Sequence, residues 1–107
     1  MNRLNILRFI LTLTIFFLID AQANQDKVWR GRKLSCERTT CKELPIDENM
    51  NCVNECVSPQ CYKDIYSAMP LEDGEIDSKR IREYTTCIRN EVREQTKQRV
   101  KEVAANR

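Results

Sequence analysis

Six cysteines in the middle of the chain constrain its fold more than any other feature of the sequence. All lie between residues 36 and 87 of 107, spaced C-x4-C-x10-C-x3-C-x4-C-x25-C. An even number of cysteines in a short chain predicts a disulfide framework if the chain is made in an oxidising compartment. The six are Cys36, Cys41, Cys52, Cys56, Cys61 and Cys87. The spacing leaves their pairing open, although we expect Cys87 to reach back to the cluster at 52–61.

The first 23 residues indicate that such a compartment is reached, because they have the layout of a secretory signal peptide. Two arginines precede an apolar run, Phe9 to Ile19, and an A-x-A pattern ends at Ala23. The run is shorter than the roughly 20 apolar residues of a membrane span, which favours a cleaved signal over a membrane anchor. Its continuity likewise argues against a mitochondrial presequence. We therefore expect secretion or residence in the secretory-pathway lumen, with membrane contact only if this segment stays uncleaved.

Cleavage after Ala23 leaves a chain with little apolar material. It would have 107 − 23 = 84 residues, no Phe and a net charge of 16 − 15 = +1. Leu, Ile and Val make up 14 of the 84, a fraction at which burial barely offsets chain entropy. Three disulfides then supply stability that the core lacks. The near-neutral charge gives no strong attraction to a polyanion such as nucleic acid, so we expect no nucleic-acid partner.

The apolar spacing predicts an all-α fold, a small disulfide-stapled helical domain with a longer C-terminal helix. Asp47 is expected to cap a helix through Val57, which places Cys52 and Cys56 on one face. Ser58-Pro59 is a helix start signal. Asp77 is expected to cap the longest helix, whose stripe comprises Ile81, Tyr84, Ile88 and Val92.

These patterns divide the chain into four segments. Residues 1–23 are the expected signal peptide, and residues 24–35 a flexible leader without apolar periodicity. Residues 36–89 form the six-cysteine helical domain. Residues 90–107 form a polar C-terminal helical extension, where cations mixed with glutamates indicate a solvated face more than an anionic-surface site.

The residue inventory offers little for catalysis or cofactor binding. There is no His, no Ser nucleophile elbow and no Gly-rich phosphate loop, so we predict no enzyme, no catalytic residue and no cofactor. Zinc is disfavoured by the absence of a C-x2-C pair. Four carboxylates between residues 72 and 77 would suit calcium but lack EF-hand spacing. A single C-x3-C also argues against a twin C-x9-C hairpin of the mitochondrial intermembrane space.

Polar residues between the cysteines and in the following loop are the candidates for a binding face. They are Asn51, Asn54, Glu55, Glu72, Asp73 and Glu75. The alternative is that the cysteines are structural and these polar side chains simply line the wet side of a helix and a turn.

Two stretches of this region resemble a known family. The family pattern N-C-V-x-x-C-x-S-P-x-C-Y, then P-L-E-x-G-E-x-D, then Arg and a final Cys, is matched at Asn51–Tyr62, Pro70–Asp77, Arg80 or Arg82, and Cys87. The chain thus resembles small secretory-pathway proteins of eukaryotes that are classed as a domain of unknown function. The similarity spans about Cys36 to Cys87. It implies secretion and a disulfide framework, and no activity.

The function we predict is that of a secreted, non-catalytic protein-binding module whose partner is an extracellular or lumenal protein. The alternative is a processed signalling peptide or toxin-like ligand. Gly31 before Arg32-Lys33 formally resembles an amidation and cleavage signal for such a peptide. An enzyme or an enzyme inhibitor is a third hypothesis.

Overall fold

Four helices account for the architecture of the chain, which a computed structural model describes from residue 2 to residue 107. They are α1 (Arg3–Arg38), α2 (Met50–Val57), α3 (Pro59–Ile65) and α4 (Ser78–Ala105). No strand occurs within those residues. The long helices α1 and α4 pack against each other, α2 packs on α1, and α3 lies between α2 and α4. The predicted all-α class with a long C-terminal helix is confirmed.

Two of the three predicted helix starts are confirmed by their capping bonds. The Ser58 hydroxyl accepts a hydrogen bond from the Cys61 backbone N–H at 3.1 Å, with Pro59 at the first helical position. Asp77 Oδ1 accepts from the Arg80 N–H at 3.1 Å. Each bond satisfies one of the N–H groups that have no partner inside the helix.

The predicted cap of α2 by Asp47 is wrong. The helix begins at Met50, with the buried Asn49 at its N-cap. The Asp47 carbonyl instead accepts a hydrogen bond from the Gly74 N–H at 3.0 Å. Gly74 adopts a φ of +75°, a conformation in which a residue without Cβ is unstrained. Asp47 lies in the turn before α2, which the Glu48 N–H closes by donating to the Pro45 carbonyl at 3.0 Å.

The sequence predicts a loose leader at residues 24–35, whereas in the structure these residues are helical and belong to α1. Asp26 pairs with Arg89 of α4 at 2.9 Å, and Arg32 reaches Glu91 at 3.2 Å. The other oxygen of Glu91 accepts from the Ser58 hydroxyl at 3.1 Å. These contacts are polar, so they leave no hydrophobic stripe in the sequence.

The beginning of α1 lies outside the packed part of the molecule. Every large hydrophobic side chain from Leu4 to Ile19 is at least 44% exposed. By length and composition α1 contains an 18-residue stretch apolar enough to cross a membrane. A membrane anchor and a secretory signal sequence near the N-terminus both have such a stretch.

The core is small and consists of ten buried residues from all four helices and the loops between them. They are Cys36, Cys41, Val53, Val57, Cys61, Tyr66, Leu71, Tyr84, Ile88 and Val92. Of the predicted stripe of α4, Tyr84, Ile88 and Val92 are buried, whereas Ile81 is 38% exposed. Beyond Val92, Val100 and Val103 are 63% and 58% exposed. The last turns of α4 therefore project into solvent.

Three disulfides join the elements, and no cysteine among the described residues is free. The pairs are Cys36–Cys56, Cys41–Cys52 and Cys61–Cys87. Cys52 and Cys56 lie on one face of α2. Cys56 bonds to α1, and Cys52 bonds to the turn that follows α1. Cys87 bonds to the 52–61 cluster as expected, and its bridge is the single covalent link between α3 and α4.

Removing the Cys61–Cys87 bridge should cost more stability than removing Cys41–Cys52. Each pair combines one buried and one half-buried cysteine, so the packing losses are matched. The separations differ, 26 residues against 11, and a longer closed loop restricts the unfolded chain more. We expect the Cys61→Ala/Cys87→Ala variant to lose about 3 kcal/mol in urea unfolding and the other pair somewhat less. The reverse order would contradict this explanation.

Candidate binding pocket

Asn51, one of the six residues predicted to form a binding face, holds a loop in place. Its side-chain Nδ2 donates to the Leu71 carbonyl at 2.7 Å, and its Oδ1 accepts from the Leu71 N–H at 3.0 Å. Both hydrogen bonds of one amide therefore go to a single backbone position. They fasten the loop between α3 and α4 to α2 and keep Leu71 buried.

Arg80 organises the far end of the same loop. Its guanidinium contacts Asp77 at 2.7 Å, Glu75 at 3.3 Å and the Met69 carbonyl, and lies 5.1 Å from the centre of the Tyr66 ring. Hydrogen bonds from the Arg80 backbone N–H, and then from its guanidinium, hold the pKa of the Asp77 carboxyl below its usual value. Of the two arginines that could complete the family pattern, Arg80 is thus the one built into the fold.

The remaining acidic candidates do not converge on a site. Glu75 also accepts a hydrogen bond from the Glu72 N–H at 2.8 Å, which closes a turn. The side chains of Glu55, Glu72 and Asp73 are exposed. Across residues 2–107, no three metal-ligating side chains are placed to share an ion. The predicted binding face is therefore divided between loop contacts, exposed surface and one buried residue, Asn54.

Asn54 lines an apolar pocket of about 160 Å³ between α1, α2 and α4. The deep, buried side consists of Asn54, Val57, Tyr66 and Tyr84. The more exposed rim consists of Trp29, Lys33, Met50, Ile81 and Thr85. The Tyr66 and Tyr84 rings lie with their centres 5.4 Å apart, so the pocket has an aromatic wall. We call this cleft the α1–α2–α4 pocket.

The side chain of Asn54 has an unused hydrogen-bond donor. The residue is 9% exposed, and its Nδ2 is buried without an acceptor among the described residues. Its backbone carbonyl, in contrast, accepts from the Tyr84 hydroxyl at 2.6 Å. An unsatisfied buried donor costs about 1–3 kcal/mol. The nitrogen has almost no accessible surface, so it is an unpaired group within the packed wall, out of reach of a ligand in the pocket.

Lys33 is the one charged residue that lines the α1–α2–α4 pocket. Its ammonium lies 5.9 Å from the centre of the Trp29 ring and 3.8 Å from Glu37. Burial raises the pKa of both Tyr66 and Tyr84, so the aromatic wall stays neutral at physiological pH. The pocket is therefore a neutral apolar slot with one cation at its mouth.

Most of the pocket was missed by reasoning from the sequence. Of the predicted site residues, Asn54 alone lines it. Trp29 and Lys33 lie in the segment interpreted as a loose leader. Trp29, Lys33 and Cys36 follow one another at intervals of four and three residues, the spacing of side chains on one face of a helix. This spacing is the signal that could have identified Trp29 and Lys33.

Comparison with known proteins places the chain in a family. Residues 26–87, more than half of the chain, match the family described as a domain of unknown function (DUF4787). The chain belongs to this family. The matched region covers all six cysteines and begins at the Asp26 that pairs with Arg89, which makes the end of α1 part of the domain. Neither the curated proteins nor the solved structures contain a match.

Replacing Asn54 by Leu should stabilise the free protein. Leu has a similar shape and removes the unpaired amide, so we expect the free energy of unfolding to rise by about 1–2 kcal/mol. Asn90→Leu, at an exposed position of α4, is the matched control and should change stability by about 0.5 kcal/mol or less. A destabilised Asn54→Leu variant would show that the amide has a partner in solution.

Ionisation of Tyr84 should make the protein sensitive to alkali. Its folded-state pKa is raised by burial, so the unfolded chain loses this proton first. The contribution of the protonated Tyr84 to the free energy of unfolding is then fully present below the ordinary tyrosine pKa of about 10. It falls above that pH, by up to about 1.4 kcal/mol per pH unit. Tyr84→Phe should cost about 1 kcal/mol at neutral pH and flatten the alkaline decline. Urea unfolding across this range measures both effects, and parallel curves would contradict the assignment.

Proposed function

We propose that this protein is a secreted, disulfide-stabilised, non-catalytic binding module that captures one side chain of an extracellular or lumenal protein in the α1–α2–α4 pocket. The observation that carries the proposal is the apolar pocket itself, which has two tyrosine rings in its wall and a more exposed rim. Small-molecule sites typically measure about 300–1,000 Å³. A slot of about 160 Å³ fits a single anchoring side chain, the kind of group that dominates binding at protein interfaces.

Secretion is supported by the covalent framework and by the position of the apolar segment. Three disulfides persist in oxidising compartments. The apolar half of α1 is exposed throughout, so cleavage after Ala23 removes no packed side chain from Leu4 to Ile19. The family match begins three residues after the proposed cleavage site.

A non-catalytic role is supported by the chemistry of the pocket lining. Its ionisable groups are Lys33 and two tyrosines whose pKa values are raised. It contains no carboxylate to act as a base and no free thiol, and its single hydroxyl of the Ser/Thr type, Thr85, has no base beside it in the lining. These groups can hold a ligand in position, whereas acid–base chemistry at neutral pH calls for a group that titrates there.

The contacts of Arg32 weigh against the alternative of a processed peptide. Its guanidinium donates to Glu91 at 3.2 Å and to Gln95 at 2.5 Å, inside a continuous helix. A processing enzyme would have to break both contacts and unwind α1 to reach the dibasic pair. We therefore favour the intact domain as the active form.

Photo-crosslinking from the rim of the pocket tests this proposal. The protein is collected from the medium of secreting cells, and its mass should correspond to 84 residues, Asn24 to Arg107, without free thiols. A photoreactive residue in place of Ile81, at the rim, should link to one protein, whereas the same group in place of Val103 should not. No Ile81 adduct should form when the protein is reduced and unfolded before irradiation. Equal adducts at both positions, or a shorter secreted peptide, would overturn the proposal.

A further inference from the structure

The chain itself carries an exposed side chain that suits the α1–α2–α4 pocket. Ile46 is 85% exposed, the highest value among the large hydrophobic side chains that the structure describes. It lies in a turn that the Glu48 N–H closes by donating to the Pro45 carbonyl at 3.0 Å, and the Cys41–Cys52 disulfide spans this turn. The turn is therefore held in shape, so presenting Ile46 to a partner costs little conformational entropy.

The size of the pocket admits an isoleucine. An apolar cavity of about 150 Å³ in a protein binds a molecule the size of benzene. The volume here is about 160 Å³, and an isoleucine side chain is no larger than benzene. Size does not choose among apolar side chains of this class, so charge and position decide which one enters.

Charge divides the surface of the molecule into two kinds. After cleavage at Ala23, the helical segments around the pocket, residues 24–38, 50–57 and 78–92, contain nine basic and five acidic residues, hence a net charge of +4. The loops at residues 39–49 and 67–77 contain one basic and seven acidic residues, hence a net charge of −6. The acidic loops of one copy therefore complement the basic surroundings of the pocket on another copy.

The acids beside Ile46 are available for such a contact. Asp47 and Glu48 are exposed, and neither is in an ion pair among the described residues. Ile76 is almost as exposed, at 83%, but the acids on either side of it both pair with Arg80. Lys33, the one charged residue that lines the pocket, is the cation that the acids beside Ile46 would meet.

Ile46 lies close to the pocket of its own copy without entering it. It precedes Met50, at the rim, by four residues, so the two Cα atoms are within about 14 Å of each other. Its exposure shows that its side chain is outside the pocket. An apolar side chain beside a pocket that accepts it makes a self-complementary patch, so two copies related by a twofold axis can fill each other's pocket.

From the exposed turn, its acidic residues and the basic surroundings of the pocket, we infer that the protein forms a symmetric dimer. Ile46 of each copy enters the α1–α2–α4 pocket of the other copy, and Asp47 and Glu48 face Lys33 there. This inference rests on the proposed function, because it names a second copy of this chain as the protein that the pocket captures. Each pocket is then occupied, so assembly ends at two copies.

Sedimentation equilibrium of the secreted protein tests the inference. We expect a monomer–dimer equilibrium without larger species, and a dimer that weakens as salt rises because the paired charges lie at the surface. Ile46→Ser should weaken dimerisation by at least about a hundredfold, since two apolar contacts are lost at once. Ile76→Ser is the matched control, with nearly equal exposure, and should leave the dissociation constant unchanged.

Charge reversal tests the contact between the acids and Lys33. Lys33→Glu should weaken the dimer about tenfold, because like charges then meet at both contacts. Adding Asp47→Lys to Lys33→Glu should restore much of the affinity, which also shows that the first variant is folded. Lys101→Glu, at an exposed position outside the pocket, should have no effect beyond that of net charge.

Three results would overturn the inference: a protein that stays monomeric at about 1 mM, a dimer that survives Ile46→Ser, or a dimer lost in Ile76→Ser. Photo-crosslinking from Ile81 separates these failures from a failure of the proposed function. An adduct between Ile81 and the turn around Ile46 of a second copy supports both. An adduct with one different protein leaves the proposed function standing and contradicts the dimer, and the absence of any adduct contradicts both.

Discussion

Two disulfides attached to one face of α2 stabilise a short helix that would not be stable alone. Eight residues form too few hydrogen bonds to offset the cost of helix nucleation in water. Cys36–Cys56 and Cys41–Cys52 fix this short helix against the end of α1 and its turn. The buried residues of α2 are Val53, Asn54 and Val57. The covalent links thus position the residues that α2 contributes to the core and to the pocket.

The features that sequence predicted well are those decided by neighbouring residues. Ser58 and Asp77 cap the helices that follow them because the bonds span three residues. The burial of α4 ends at Val92 because the apolar period ends there. Asp47 is not the cap: it lies in the turn before α2, and its carbonyl accepts a hydrogen bond from Gly74, 27 residues away. Contacts at that separation leave no local signature.

The site was harder to predict than the fold for a related reason. Three helices contribute to the pocket, and α1 joins α4 through ion pairs such as Asp26–Arg89. A search for apolar periodicity overlooks a helix that is held by charges. The polar residues that attracted attention, Asn51 and Glu75, are instead committed to backbone and to Arg80. These two residues shape the loop. At these positions, the sequence pattern that carries the family resemblance therefore reflects contacts that hold the fold together.

The position of Trp29 has a practical consequence for how this protein can be produced and attached. With cleavage after Ala23, the mature amino terminus lies five residues before Trp29 on the same helix, about 8 Å away along its axis. A purification tag or fusion partner at that end would stand beside the mouth of the pocket and could shield it. The opposite terminus follows turns of α4 whose side chains point into solvent. Immobilisation through Arg107 would therefore present the pocket freely.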